Sequence, residues 1–250
     1  MKVNNHNLTT ENIVDFIGSI FERRGDEEYL GEPVTMGQHM LQGATLAEKA
    51  GQPDEIIVAA LLHDIGHFTS EFGTFTMNDT EDRFHEDAGA KVLEKFFPKV
   101  ISDCCRFHVA AKRYLCATDP KYFDKLSEAS IHSLSLQGGP MSPDEILKFE
   151  ENPNLEKIIT VRHLDDAGKD PNLETSDFWY FAPLVQRMVE EKKKLPSVII
   201  IDGGKGQLSS SVSALTKNQV VAFVLAAVLC FVFLMMSVIQ WYQFPDNLDI

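Results

Sequence analysis

Residues 54–67, DEIIVAALLHDIGH, set the tightest limit on what this chain can fold into. After two acidic residues the segment is apolar from Ile56 to Leu62, and it ends in His63, Asp64 and His67. A helix apolar on all sides has to be buried, so the groups at its end are drawn into the interior with it. Buried imidazoles and carboxylates persist only when hydrogen-bonded, paired or bound to a cation. On one continuous helix His63 and His67 share a face, with Asp64 beside them. The carboxylate has two oxygens and can serve two cations at once.

The rest of the pattern predicts an all-α protein. Ile13, Phe16, Ile17, Ile20 and Phe21 recur at helical spacing behind a capping-box pattern at Thr9 or Thr10, which predicts a helix over 9–24. Gly25, Gly31, Pro33 and Gly37 make 25–37 a loop, and 69–82 is polar and aperiodic. Further helices are expected over 38–50, 54–67, 83–97, 98–117, 121–136, 143–150, 154–165 and 177–192, with no strand among them. Sites in such a helical bundle lie between its helices.

Lys+Arg number 23 against 37 Asp+Glu, a net charge of −14. That excludes broad nucleic-acid binding, which needs a basic footprint, but allows a few cations focused on a small anion. Cys104, Cys105, Cys116 and Cys230 form no C-x-x-C pair and suggest no disulfide framework, as expected in a reducing compartment. The polar start MKVNNHNLTT carries no secretory h-region, so a cytoplasmic location is expected.

Four other segments carry the side chains that belong with His63 and Asp64. His39 lies in GQHMLQ, His85 in RFHEDAGA, His108 in RFHVAAK and Asp165 in VRHLDD, each on a helix with apolar packing positions. Imidazole and carboxylate without thiolate suit iron, manganese or zinc. Lys112 follows His108 by one turn and Arg162 precedes Asp165 by three residues; a point charge and a planar fork both suit a dianion. Ser130, Ser133 and Gln137 fall on one helix face. His6, His132 and His163 are assigned no function. Phe68, Phe72, Phe75, Trp179, Tyr180 and Phe181 read as packing residues, with shelter for a quaternary ammonium by cation–π contact as the alternative.

The order His39, His63-Asp64, His85, His108, Asp165 resembles the HD superfamily in its dinuclear branch. Over residues 10–190 the chain is similar to the HD-domain mixed-valent di-iron oxygenases of organophosphonate catabolism. The resemblance implies that all six are metal ligands, His85 and His108 serving the second metal. It implies two iron ions, Fe(II) and Fe(III), with O₂ as co-substrate. Tyr29 and Glu32, in YLGE, look like the family's mobile Tyr-x-x-Glu loop, which covers a vacant iron position before substrate binds. With His67 they are the expected catalytic residues. His67, Lys112, Ser130, Ser133, Gln137 and Arg162 are the expected substrate contacts.

The implied reaction is O₂-dependent cleavage of the C–P bond of a 1-hydroxy-2-(trimethylammonio)ethylphosphonate-type substrate, giving glycine betaine and inorganic phosphate. One alternative is the same reaction on 2-amino-1-hydroxyethylphosphonate, giving glycine. Another is a metal-dependent phosphohydrolase, in which metal-activated water attacks a phosphate ester.

Residues 1–192 are thus expected to form the HD-domain oxygenase, with a different tail behind it. Residues 193–219 form a linker or fragment: SVIII over 197–201 reads as a short strand, and LPSVIIIDGGKGQL resembles a piece of the nuclease domain of an excinuclease. Asp202 would hold that domain's catalytic position, but one strand and a turn cannot complete such a site. Residues 220–239 are 20 residues without a charge, long enough for a membrane-spanning helix. The tail is read as foreign to the enzyme, joined by fusion or a gene-assembly error; the alternative is a single-pass anchor to the inner membrane. The expected partner is a small phosphonate, with no nucleic acid.

Overall fold

Apolar residues at helical spacing produce helices wherever the computed structural model describes the chain, over residues 8–29, 31–69 and 84–194. The chain divides into two units, Met1–Leu195 and Pro196–Ile250. The strand expected over 197–201, the apolar helix over 220–239 and Asp202 all lie outside the described residues.

The centre of the first unit is α3 (Asp54–Leu62), in which every residue from Ile56 to Leu62 is buried. It packs against α2 (Met36–Lys49), α6 (Lys99–Thr118), α10 (Leu155–Ala167) and α11 (Phe178–Lys194). Met40, Ala44 and Ala47 from α2, Ile101 and Cys104 from α6, and Ile158 and Val161 from α10 enter the same core. α1 (Ile13–Arg24) lies against α11 and α2, and α5 (His85–Leu93) against α6. α8 (Glu128–Leu136) and α9 (Pro143–Glu150) complete the set beside two single-turn segments, α4 (Gly66–Thr69) and α7 (Pro120–Phe123). Among the described residues the only β-pairing is an isolated antiparallel bridge between Glu28 and Thr35. No helix there is long and apolar enough to cross a membrane.

Local chemistry moved several expected boundaries. The box expected at Thr9 or Thr10 forms only in part: the Thr9 amide donates to Asn12 Oδ1 at 2.8 Å, but the Thr9 hydroxyl accepts from the Glu11 amide at 3.3 Å, one residue short of Asn12, and the Thr10 hydroxyl bonds Glu11 at 2.6 Å. The helix therefore starts at Ile13. True capping boxes occur at Thr35 with Gln38 and at Ser142 with Glu145. The helix expected over 121–136 is broken where Ser127 caps α8, accepting from the Ser130 amide at 3.1 Å. Cys104, Cys105 and Cys116 are free thiols.

Candidate metal centre

The helix expected over 54–67 is not continuous, and its break builds the site. His63 Nδ1 donates to the Ala60 carbonyl at 2.8 Å, the acceptor that the next helical amide would otherwise use. Beyond it the chain tightens: Ile65 N–H donates to the Leu62 carbonyl at 3.2 Å and His67 N–H to the Asp64 carbonyl at 3.1 Å. His63 and His67 consequently do not share a face. His63 Nε2 faces Asp64 Oδ2 at 3.5 Å, whereas His67 Nε2 lies 4.0 Å from Oδ1.

Gly66 fixes the next spacing. A Cβ there would stand 1.8 Å from the His85 carbonyl oxygen and 2.7 Å from the Gly89 nitrogen. Only glycine lets α4 come this close to α5, and the approach brings His85 against Asp64.

In the first cluster His39 Nδ1 donates to the Gly168 carbonyl at 2.9 Å, as His63 Nδ1 does to Ala60. Carbonyls only accept, so each Nδ1 carries a proton and each Nε2 is the atom left to face the cluster. Those two Nε2 atoms face each other at 3.1 Å. Asp165 Oδ1 lies 3.4 Å from His39 Nε2, and Asp64 Oδ2 lies 3.5 Å from both imidazoles. The second cluster repeats the pattern. His108 Nδ1 donates to the Cys105 carbonyl at 2.7 Å, and its Nε2 faces His85 Nε2 at 3.1 Å. Asp64 Oδ1 lies 3.3 Å from His85 Nε2 and 3.2 Å from His108 Nε2.

Opposed lone pairs at such distances repel unless a cation lies among them. Donors about 2.1 Å from one ion stand roughly 3.0–3.4 Å from one another, and that is the spacing here. Asp64 Oδ1 and Asp165 Oδ1 are buried without a hydrogen-bond partner, a cost that a cation removes. The donor set therefore fits metal, and each cluster could hold an ion. The nearby Cys105 thiol is no ligand: it donates to the His63 carbonyl at 3.1 Å, and burial pushes its pKa up.

Charge is balanced accordingly. Burial alone would lower the His63 pKa, but Asp64 and Asp165 raise it to about 9, so without a metal a second proton sits on His63 Nε2, in the place that a cation would take. Burial would raise that of Asp64, yet His63, His108 and His39 hold it well below the usual carboxylate range. His67 is pushed down by burial and by His85, on which its ring stacks with centroids 4.0 Å apart.

A cavity opens over the second cluster, lined by Tyr29, Glu32, His67, Lys112, Ser130, Ser133, Gln137, Arg162 and Lys169 together with Asp64, His85, His108 and Asp165. Lys112 is buried, donates to Ser133 Oγ at 2.7 Å, and is brought down to about 7 by burial and by Arg162. Arg162 pairs with Asp165 Oδ2 at 2.7 Å through Nη1 and grips Asp166 through Nε and Nη2. Asp166 also accepts from the Tyr122 hydroxyl. Tyr29 stacks on His39, centroids 4.1 Å apart and planes 15° from parallel.

Every site residue expected from the sequence thus borders this centre. Lys169 and Asp166 were missed; the available signal was their position within one turn of Asp165. Among the described residues, none of the aromatics singled out in the sequence lines the cavity. Phe68 and Phe181 are buried in the core, Trp179 and Tyr180 are exposed and bonded to Glu22 and Glu48, and Phe72 and Phe75 lie outside the described residues.

The HD domain family matches residues 36–129, which hold five of the six clustered donor residues. The UvrC RNAse H endonuclease domain family matches residues 166–229, mostly outside the described residues. The chain is 72% identical over 184 residues to the [1-hydroxy-2-(trimethylamino)ethyl]phosphonate dioxygenase (glycine-betaine-forming) of Leisingera caerulea, covering 74% of this chain and 94% of that protein. It is 40% identical over 177 residues to the hydroxymethylphosphonate dioxygenase of Gimesia maris, covering 70% of this chain and 88% of that protein.

Proposed function

The chain belongs to the HD-domain phosphonate dioxygenases, and we propose that it cleaves the C–P bond of 1-hydroxy-2-(trimethylammonio)ethylphosphonate with O₂, yielding glycine betaine and inorganic phosphate. The observation that carries this reading is the division of Asp64, whose Oδ2 serves His39 and His63 while Oδ1 serves His85 and His108, beneath a cavity walled by Lys112 and Arg162. Two metals bridged by one carboxylate suit redox chemistry, and buried cations suit a phosphonate dianion. We assign the activity to residues 1–192.

The reaction balances with one O₂. The C–P bond breaks, C1 passes from alcohol to carboxylate, and the four electrons released reduce O₂. One oxygen atom ends on carbon and the other on phosphorus. The metals are proposed to be an Fe(II)/Fe(III) pair held by His39, His63, Asp64, His85, His108 and Asp165; when bound it activates O₂. The protein's own work is placement and charge. Lys112 and Arg162 neutralise the phosphonate and orient it, and Ser130, Ser133 and Gln137 offer hydrogen bonds to its oxygens. His67 donates to a phosphonate oxygen, its stack on His85 fixing the ring. Tyr29 and Glu32 border the metal position that the substrate approaches and keep bulk water from it.

The test is phosphate release by the iron-loaded protein in air and under anaerobic conditions. Stoichiometric glycine betaine and phosphate in air, and neither without O₂, are expected. Phosphate that persists anaerobically indicates a hydrolase. Faster turnover of the 2-amino analogue, giving glycine, reassigns the substrate.

A further inference from the structure

Lys169 lies one turn beyond Asp165, just past the end of α10. Its ammonium donates to Glu32 Oε1 at 2.9 Å and to Ser130 Oγ at 3.0 Å, and stands 5.8 Å from the centre of the Tyr29 ring. Glu32 Oε1 also accepts from the Ser127 hydroxyl at 2.5 Å. The Lys169 and Glu32 side chains are only 13% and 9% exposed. Such a pair is little screened by water, and removing one partner strands the other charge. Three remote pieces of chain thus meet on one carboxylate: the 25–37 loop, the start of α8 and the end of α10.

Glu32 is tied in turn to Tyr29. Its amide donates to the Tyr29 carbonyl at 2.7 Å, and the adjoining Gly31 has φ 72°, a left-handed conformation that other residues adopt only with strain. The base of the loop is fastened by backbone bonds, Met36 N–H to the Glu27 carbonyl and Gly37 N–H to the Gly25 carbonyl, both at 2.8 Å. Among the described residues no backbone bond holds Glu32 against α8; that task falls to Ser127 and Lys169. The same turn carries the Tyr29 ring that stacks on His39.

We propose that Lys169 is a positioning residue: by holding Glu32 against α8 it keeps the Tyr29 ring seated on His39 and fixes one wall of the substrate cavity. The effect on turnover rests on the function proposed above; the effect on the loop does not.

The metal-loaded full chain is compared as wild type, Lys169→Met, Lys169→Arg, Glu32→Gln and the Lys169→Met/Glu32→Gln double variant. Amide hydrogen exchange is followed without substrate, and KM and kcat with it. Lys169→Met is expected to speed exchange over residues 31–37 by roughly tenfold, the loss of about one charge-assisted hydrogen bond, with α3 and α6 unchanged. KM should rise more than kcat falls, Lys169→Arg should restore most of both, and the double variant should be no worse than Glu32→Gln. Wild-type exchange in Lys169→Met, or losses that add in the double variant, overturn the proposal. If Lys169→Met does not fold, Glu32→Gln must show the same loop acceleration for the proposal to stand. A normal exchange response without turnover of any phosphonate supports Lys169 and removes the proposed function instead.

Discussion

His39 and His63 point their Nε2 atoms at each other across 3.1 Å, because backbone carbonyls accept from each ring at Nδ1. Nδ1 of each ring is engaged before any ion arrives, and Nε2 is the position left to take a metal in exchange for the His63 proton. The other half of the design is Asp64, which shares its oxygens between the clusters. Asp64→Ala is therefore expected to impair both, lowering bound metal from about two ions per chain to about one or fewer. Elemental analysis of the purified variant reads this directly. Two retained ions would mean that the carboxylate bridges nothing.

Lys112 predicts a pH dependence of binding. Burial and Arg162 bring its pKa down to about 7 in the free protein. A dianion beside it favours the charged form and raises that value. Between the two values binding takes up a proton, so affinity falls as pH rises above about 7. The phosphonate's own second ionisation acts in the opposite sense, so the comparison needs Lys112→Met, which keeps the substrate's titration and loses the enzyme's. Calorimetry in buffers of different ionisation enthalpy should show proton uptake in the wild type that is absent in the variant.

Arg162 is clamped on both sides, by Asp165 through Nη1 and by Asp166 through Nε and Nη2. Lysine cannot reproduce that fork. Arg162→Lys should raise KM at least tenfold, a loss of about 1.5–3 kcal/mol for a hydrogen bond to a charged group. Asp166→Asn should raise KM by a smaller factor while metal content stays that of the wild type. Equal KM values in wild type and Arg162→Lys would remove the guanidinium from substrate binding.

Gly66→Ala tests the backbone contact between α4 and α5. The new methyl would meet the His85 carbonyl at 1.8 Å, and a carbonyl in a packed helix has nowhere to go. A cost of about 3 kcal/mol, at the upper end of overpacking, is expected. Urea denaturation of metal-free protein checks it, and metal analysis should show the His85 side of the centre emptied first. A wild-type midpoint would show that the two segments part freely.

The helical architecture was legible because nearly every segment carries its own apolar period, from Ile13 in α1 to Val189 in α11. The residues that cluster at the centre were legible in type and order too, since buried histidines and aspartates are few. What the sequence concealed were departures from regularity. His63 takes the Ala60 carbonyl and ends α3 early, so the face it was expected to share with His67 does not exist. Thr9 completes only half of a capping box, its hydroxyl taking the Glu11 amide, whereas Thr35 and Ser142 make complete ones. Lys169 escaped notice because it follows Gly168, where the helical period stops, and its partners stand far away in sequence at Glu32 and Ser130.

From Arg162 to Lys169 the end of α10 and the two residues after it supply the proposed anion anchor and metal ligand, the clamp on that anchor, the carbonyl that orients His39 and the ammonium that grips Glu32. One inserted residue upstream would rotate the whole series by about 100° about the helix axis. All five duties would fail together, so this stretch can drift in composition only where it never drifts in length.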